Sequence, residues 1–71
     1  MNRKELDFAV FCIEGIAERL GVFGEEIYRK LADESDILDE YIIANFESLH
    51  TQGKEYIVED ILEIMGKEGI I

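Results

Sequence analysis

The chain contains no proline, one cysteine and one histidine. The absence of proline leaves no residue that must interrupt a helix. A single cysteine excludes an internal disulfide, and one cysteine with one histidine cannot supply the four ligands of a usual structural zinc site. A chain of 71 residues therefore depends on helix packing or on self-association for its stability. No cofactor is expected.

Basic residues are also few. Seven Lys and Arg stand against seventeen Asp and Glu, which gives a formal net charge of -10. Nucleic-acid affinity comes mainly from Lys and Arg contacts to phosphate, so we expect no nucleic-acid partner. The expected partner is a protein with a basic surface or, alternatively, further copies of the chain as a homo-oligomer. The alternative interpretation of the acidity is that it simply keeps a small domain soluble.

Long hydrophobic runs are missing as well. No apolar stretch approaches the roughly 18 residues that a membrane-spanning helix needs. The first residues, MNRKELDF, become acidic too early for a secretory signal peptide. We therefore expect no membrane association and a cytoplasmic protein, and a free Cys12 suits a reducing compartment.

What the chain does contain is the spacing of a helical protein. Leu, Ile, Glu and Lys recur three and four residues apart, and there is no internal repeat. The sequence predicts an all-α fold, a compact bundle of about four short helices in a single domain, residues 1–71. We expect the stretch 35–61 to be its packing centre, with its two segments forming a hairpin against the first helix.

Glycine and serine mark the predicted helix boundaries. Gly21 suits the end of a first helix and Gly24 the start of a second, with Ser35 as the N-cap of a third. The predicted helices cover residues 4–20 and 25–33, and a third follows the Ser35 cap and ends at Leu49. A fourth begins between residues 54 and 58, and the alternative for 54–57 is an extended lead-in. Phe23, with its neighbour Val22, is expected to fill the core.

The first helix has apolar residues on two sides. A rotation of 100° per residue predicts one core face, composed of Leu6, Ala9, Val10, Ile13, Ile16, Ala17 and Leu20. Phe8, Phe11 and Cys12 lie outside this sector, so either the fold covers the helix on both sides or these residues contact a partner. Ile43, on the outward side of the third helix, is a further candidate for partner contact.

Four polar residues form a possible site. Asn45 lies within the apolar stripe of the third helix, where a buried amide would either hold a neighbouring backbone or belong to a polar site. His50 and Thr51 begin the connector before the last helix, and Tyr56 follows it. His50 could act as a base, even with Cys12 as nucleophile, or simply cap a helix end. No phosphate-loop or calcium-loop spacing occurs.

Three strings resemble a known family: F-x-x-x-x-I-E-x-I-A at 8–17, S-D-I-L-D-x-Y-I at 35–42 and L-H-T-Q-G-K-E-Y-I-V-E-D-I at 49–61. Together they are similar to short bacterial proteins grouped as a domain of unknown function, and the similarity covers nearly the whole chain. The resemblance implies no activity and no catalytic residues. Members tend to be encoded near a protein resembling ADP-ribosyltransferases, which implies a small acidic partner or neutraliser.

The sequence thus favours a non-enzymatic protein-protein interaction module, a toxin-neutralising or regulatory partner subunit. The candidate contact residues are Phe8, Phe11 and Ile43. The alternative is a self-associating structural domain, and a third possibility is a small enzyme centred on His50.

Overall fold

The computed structural model describes every residue from Met1 to Ile71 and contains helices without any strand. The α-helices are α1 (Arg3–Leu20), α2 (Gly24–Tyr28), α3 (Phe46–Leu49) and α4 (Lys54–Lys67). A first π segment (Arg29–Asp33) continues α2, and a second π segment (Ile37–Ile43) precedes α3. The predicted all-α fold is confirmed.

Both ends of α1 are fixed by local hydrogen bonds. The Asn2 side chain accepts the backbone N–H of Glu5 at 2.8 Å, and the Glu5 carboxylate accepts the N–H of Asn2 at 3.0 Å. A cap of this kind stabilises a helix by about 1 kcal/mol. Gly21 ends the helix with φ 71°, a left-handed conformation that glycine adopts without strain. Its predicted role is confirmed.

The buried face of α1 differs from the predicted one. Cys12 and Ile16 are completely buried, whereas Leu6, Val10 and Leu20 are between 41% and 49% exposed. The two faces share three residues and are turned by roughly 70 to 90° relative to each other, less than the rotation of one residue. Apolar residues occupy most of the circumference of α1, and we call this sector the apolar arc. Both the predicted face and the observed buried face lie within it, and the other helices cover only part of it.

The hydrophobic core is organised around α1, which packs against α2, α4 and the second π segment. The expectation that residues 35–61 form the packing centre holds only in part. That stretch supplies seven of the fifteen core residues, but its second π segment and α4 both pack against α1. The core consists of fifteen buried residues: Phe8, Ala9, Cys12, Ile16, Ala17, Ile27, Leu31, Ile37, Leu38, Ile42, Leu49, Ile57, Val58, Ile61 and Met65.

Helices α1 and α4 meet at Gly15. A Cβ atom on Gly15 would lie 3.0 Å from Cγ2 of Val58, a buried residue of α4. An ion pair between Lys54 and Glu18 spans the same two helices at 3.5 Å. Both of its side chains are largely exposed, so it adds at most about 1 kcal/mol. The close approach therefore depends on the missing side chain of Gly15.

The two π segments change the direction of side chains in the middle of the chain. The N–H of Glu34 donates to the carbonyl of Arg29 at 2.9 Å, and the N–H of Ala44 donates to Asp39 at 3.3 Å. Each bond spans five residues instead of four, so the turn is wider than in an α-helix. A rotation of 100° per residue consequently misplaces side chains beyond these turns.

Ser35 joins the two π segments and is not the N-cap that the sequence suggested. Its hydroxyl donates to the carbonyl of Lys30 at 2.8 Å and accepts the N–H of Ile37 at 3.3 Å. Serine hydroxyls often bond to nearby backbone in this way, as an alternative to the regular hydrogen bonds of a helix.

One further expectation fails outside the core. Phe23 is 79% exposed and does not fill the core, although Val22 packs against it. The last helix, α4, begins at Lys54, within the predicted range 54–58, so the alternative of an extended lead-in does not occur. No helix of the protein is both long and apolar enough to span a membrane.

Replacing Gly15 by alanine should destabilise the protein even though alanine favours helix by about 1 kcal/mol. The new Cβ would press on Cγ2 of Val58, a β-branched side chain with little freedom to rotate within a helix. Overpacking costs about 1 to 3 kcal/mol, so we expect Gly15→Ala to lower the free energy of unfolding by about 1 kcal/mol in urea denaturation.

Gly66 provides the matched control for this substitution. A Cβ at Gly66 meets nothing within 4 Å, so Gly66→Ala should stabilise the protein through helix propensity alone. The Gly15→Ala change should also become stabilising when Val58→Ala is present. A Gly15→Ala protein more stable than the native one would contradict the close approach of α1 and α4.

Tyr41 gives the structure a pH dependence in the alkaline range. Its hydroxyl donates to the carboxylate of Asp60 on α4. This hydrogen bond, with partial burial and the negative charge of Asp60, raises the pKa of Tyr41 from 10.0 to about 12. Because the folded state raises the pKa, the neutral phenol stabilises the fold below pH 10.0, and this contribution is lost as the pH rises towards 12.

We therefore expect Tyr41→Phe to lower the free energy of unfolding by about 1 kcal/mol at neutral pH. The difference from the native protein should stay constant up to the usual tyrosine pKa of about 10 and then shrink. Urea denaturation of both proteins over this range measures it. A difference that does not change with pH would show that the fold does not favour the neutral phenol of Tyr41 over the phenolate.

Candidate functional site

An apolar groove lies between α1, the end of α2 with its π extension, and the start of the second π segment. It has a volume of about 410 Å³, and eight of its ten lining residues are hydrophobic. The hydrophobic residues are Met1, Leu6, Ala9, Val10, Ile13, Tyr28, Ala32 and Leu38, and the other two are Asp33 and Asp39. We refer to this set as the apolar groove.

The groove has a buried floor and exposed walls. Ala9 and Leu38 belong to the core and are 3% and 6% exposed. Leu6, Val10 and Tyr28 remain 49%, 44% and 48% exposed. The walls thus present apolar surface that the fold itself leaves in contact with water.

The local sequence explains how the groove arises. Leu6, Val10 and Ile13 follow one another at spacings of four and three residues, so they line one side of α1 over two turns. Tyr28 and Ala32 have the same spacing on the facing segment. The sequence indicated the apolar character of Leu6, Val10 and Ile13 but assigned them to the core. One feature of the sequence could have indicated that some of them stay exposed. The apolar arc of α1 is wide, and so short a chain has few other residues to cover it.

The two acidic residues of the groove are free of internal partners. Asp33 and Asp39 are exposed, and neither takes part in an ion pair or a side-chain hydrogen bond. The groove therefore combines apolar walls with two carboxylates that are available to a cation from outside.

A second surface is formed by four rings in a row. Phe11 stacks on Phe8 with ring centroids 6.3 Å apart, and Phe8 meets Phe46 edge to face at 5.4 Å. His50 stacks on Phe46 at 4.5 Å. We call these residues the aromatic row. Of the predicted contact residues, Phe8 is only 8% exposed and Phe11 is 43% exposed, while Ile43 is half-buried and packs against the core.

The predicted partner-contact residues thus occupy different environments. Phe8 lies under Phe11 in the core, because α1 buries the side of the helix that carries Cys12. Phe8 presents little surface of its own and supports the exposed ring of Phe11 from below. The groove and the aromatic row border the buried face of α1 on opposite sides, so both edges of its apolar arc remain accessible.

Three of the four predicted polar-site residues make local hydrogen bonds. Asn45 is exposed and donates its amide to the carbonyl of Tyr41 at 2.8 Å. It is not inside a buried stripe, because the preceding π turn alters its direction. Nδ1 of His50 lies 2.7 Å from the carbonyl of Phe46, and the Thr51 hydroxyl donates to Ser48 at 2.8 Å. These bonds satisfy the end of α3.

The polar residues do not converge on a shared cavity. Tyr56 lines a shallow depression on α4 with four acidic residues, whereas His50 and Thr51 line none of the four depressions on the surface. Cys12 is completely buried, and burial raises the pKa of its thiol to about 12. At neutral pH it is a neutral thiol rather than the thiolate that nucleophilic catalysis needs. The geometry gives the hypothesis of a His50 enzyme no support.

Comparison with known proteins identifies a family without an activity. Searches among curated proteins and among solved structures found no match to the chain. The family described as "Protein of unknown function (DUF3791)" matches residues 7–68. That range takes in α2, α3, α4, both π segments and all of α1 beyond its first turn. On this evidence the chain belongs to the DUF3791 family of proteins of unknown function.

Proposed function

We propose that this protein is a protein-binding module whose partner docks on the apolar groove. The observation that carries the proposal is the concave apolar surface around Leu6, Val10 and Tyr28, in which each side chain is close to half exposed. Exposed apolar patches rimmed by polar residues are a feature of protein interaction sites.

The groove offers a favourable free energy to any partner that covers it. Burial of apolar surface contributes about 25 cal/mol per Å², and complete burial of one large side chain contributes about 1.5 to 3 kcal/mol. Leu6, Val10 and Tyr28 have roughly half of that area still to bury. Their clustering around an already buried floor also suits the central, desolvated part of an interface.

The charge of the chain favours a partner with a basic surface. A formal net charge of -10 attracts positively charged proteins over a distance of about 10 Å at moderate salt. Such attraction accelerates encounter and disfavours acidic competitors. Acidic residues therefore contribute to selection of the partner, while the groove supplies the contact surface.

The biological role we propose is that of a regulatory or toxin-neutralising subunit. A small acidic module that seats on a basic surface acts by covering it, and no chemistry of its own is required. The exposed ring of Phe11 on the other edge of α1 would then provide a second contact for a partner large enough to reach around the helix.

Site-specific photo-crosslinking in cells that naturally encode the protein tests this proposal. A photoreactive phenylalanine analogue placed at position 10 should give a discrete crosslinked product with a different protein, because Val10 lines the groove. The matched control carries the analogue at position 23, where Phe23 is exposed but outside the groove. We expect no such product from the control.

The identity of the crosslinked product decides the outcome. A heteromeric product formed only from position 10 supports a partner-binding groove. A product that contains two copies of this chain would favour the self-associating domain instead. Equal labelling from positions 10 and 23, or none from either, would show that the groove is not a docking site.

A further inference from the structure

We infer that the occupant of the apolar groove is an amphipathic α-helix of the partner, with Lys or Arg on either side of its apolar ridge. This inference rests on the proposed function, because it names the kind of segment that the same groove binds. It follows from the shape of the groove, the backbone around it and its two carboxylates.

The groove has the length and the lining of a helix-binding site. Its α1 side is formed by Leu6, Val10 and Ile13, and seven residues of an α-helix extend over about 10 Å. An apolar ridge of similar length on a partner helix contains residues at positions i, i+3 or i+4, and i+7. This is the recurrent arrangement by which an amphipathic helix fits a hydrophobic groove.

The two other common modes of peptide recognition fit this site poorly. Addition of a β-strand requires an exposed sheet edge, whereas the chain contains helices and no strand. Proline-rich segments bind grooves lined by several aromatic rings. Tyr28 is the one aromatic residue of the apolar groove. A helical occupant is therefore the mode that this lining supports.

The charges at the groove determine the flanks of that helix. Asp33 and Asp39 are exposed lining residues without an internal cation. Lys or Arg beside the apolar ridge would pair with them at the edge of a desolvated surface, where a charge contact is stronger than in open water. A second copy of this chain is disfavoured, since it brings a formal net charge of -10 to the same carboxylates.

The test uses the full chain and two synthetic helical peptides. One peptide carries Leu at positions i, i+4 and i+7, with Lys beside this ridge and Ala elsewhere. Its twin has Glu in place of every Lys. Isothermal titration calorimetry should show about tenfold or tighter binding of the Lys peptide relative to the Glu twin, a difference of about 1.4 kcal/mol.

Two substitutions in the groove examine the apolar and the charged contribution separately. Val10→Gln should weaken binding of the Lys peptide about tenfold, since it replaces an apolar wall by a polar side chain. The control Phe23→Gln changes an exposed apolar residue outside the groove and should leave binding unchanged. Circular dichroism would verify that both variants remain folded.

The double variant Asp33→Asn with Asp39→Asn should weaken binding of the Lys peptide about fivefold and reduce its salt dependence. The matched control is Glu47→Gln with Glu68→Gln, which removes the same charge from exposed residues outside the groove. Equal losses in both double variants would indicate attraction by net charge alone and would overturn the inference.

The inference is also overturned if neither peptide binds, if the Glu twin binds as tightly, or if Val10→Gln has no effect. These results are distinguishable from failure of the proposed function. A heteromeric crosslink from position 10 together with no binding of the Lys peptide would leave the groove a docking site with a different kind of occupant. Absence of that crosslink would remove the docking site itself.

Discussion

The structure depends on one property of α1: its apolar arc is wider than the rest of the chain can cover. Its centre, at Cys12 and Ile16, is completely buried and packs against α2, α4 and the second π segment. The contact with α4 is made possible by Gly15, where a Cβ atom would lie 3.0 Å from Cγ2 of Val58. Because only the centre of the arc is buried, both of its edges remain at the surface.

The same constraint accounts for the two exposed apolar surfaces. On one edge, Leu6 and Val10 face the apolar groove. On the other edge, Phe11 lies over Phe8 at the end of the aromatic row. In a fold of this size, only about 60% of the surface of the unfolded chain is buried. An arc that extends most of the way around α1 is therefore left partly exposed by the fold.

Sequence alone gave the class of the fold and several boundaries for clear physical reasons. Regular spacing of apolar residues and the absence of proline indicate helices, and Gly21 ends α1 as its conformational freedom predicts. The rotation of α1 could not be predicted, because its apolar arc admits more than one buried face. Asn45 was misplaced since the π turn before it adds a residue that a 100° wheel omits. The local sequence pattern predicts neither the rotation of α1 nor the π turn before Asn45.

The sequence predicted that apolar residues of α1 contact a partner, but not which of these residues form a concave surface. Partner contact through apolar points of α1 was expected at Phe8 and Phe11, whereas the concave surface lies on the opposite edge, at Leu6 and Val10. Membership in a family of unknown function supplies no residue roles that could have located it. Only the packing of α1 against the other helices shows which of its apolar residues remain exposed to solvent.

The most direct test of this account is the solvent exposure of individual methyl groups in the isolated protein. Relaxation enhancement by a soluble paramagnetic probe, measured by methyl NMR at several protein concentrations, should be strong for Leu6 and Val10 and weak for Ile16 and Ile61. This result would place the groove in contact with water in the free protein. Protection of Leu6 and Val10 equal to that of Ile16 would contradict the packing of α1 and, with it, the existence of an open groove.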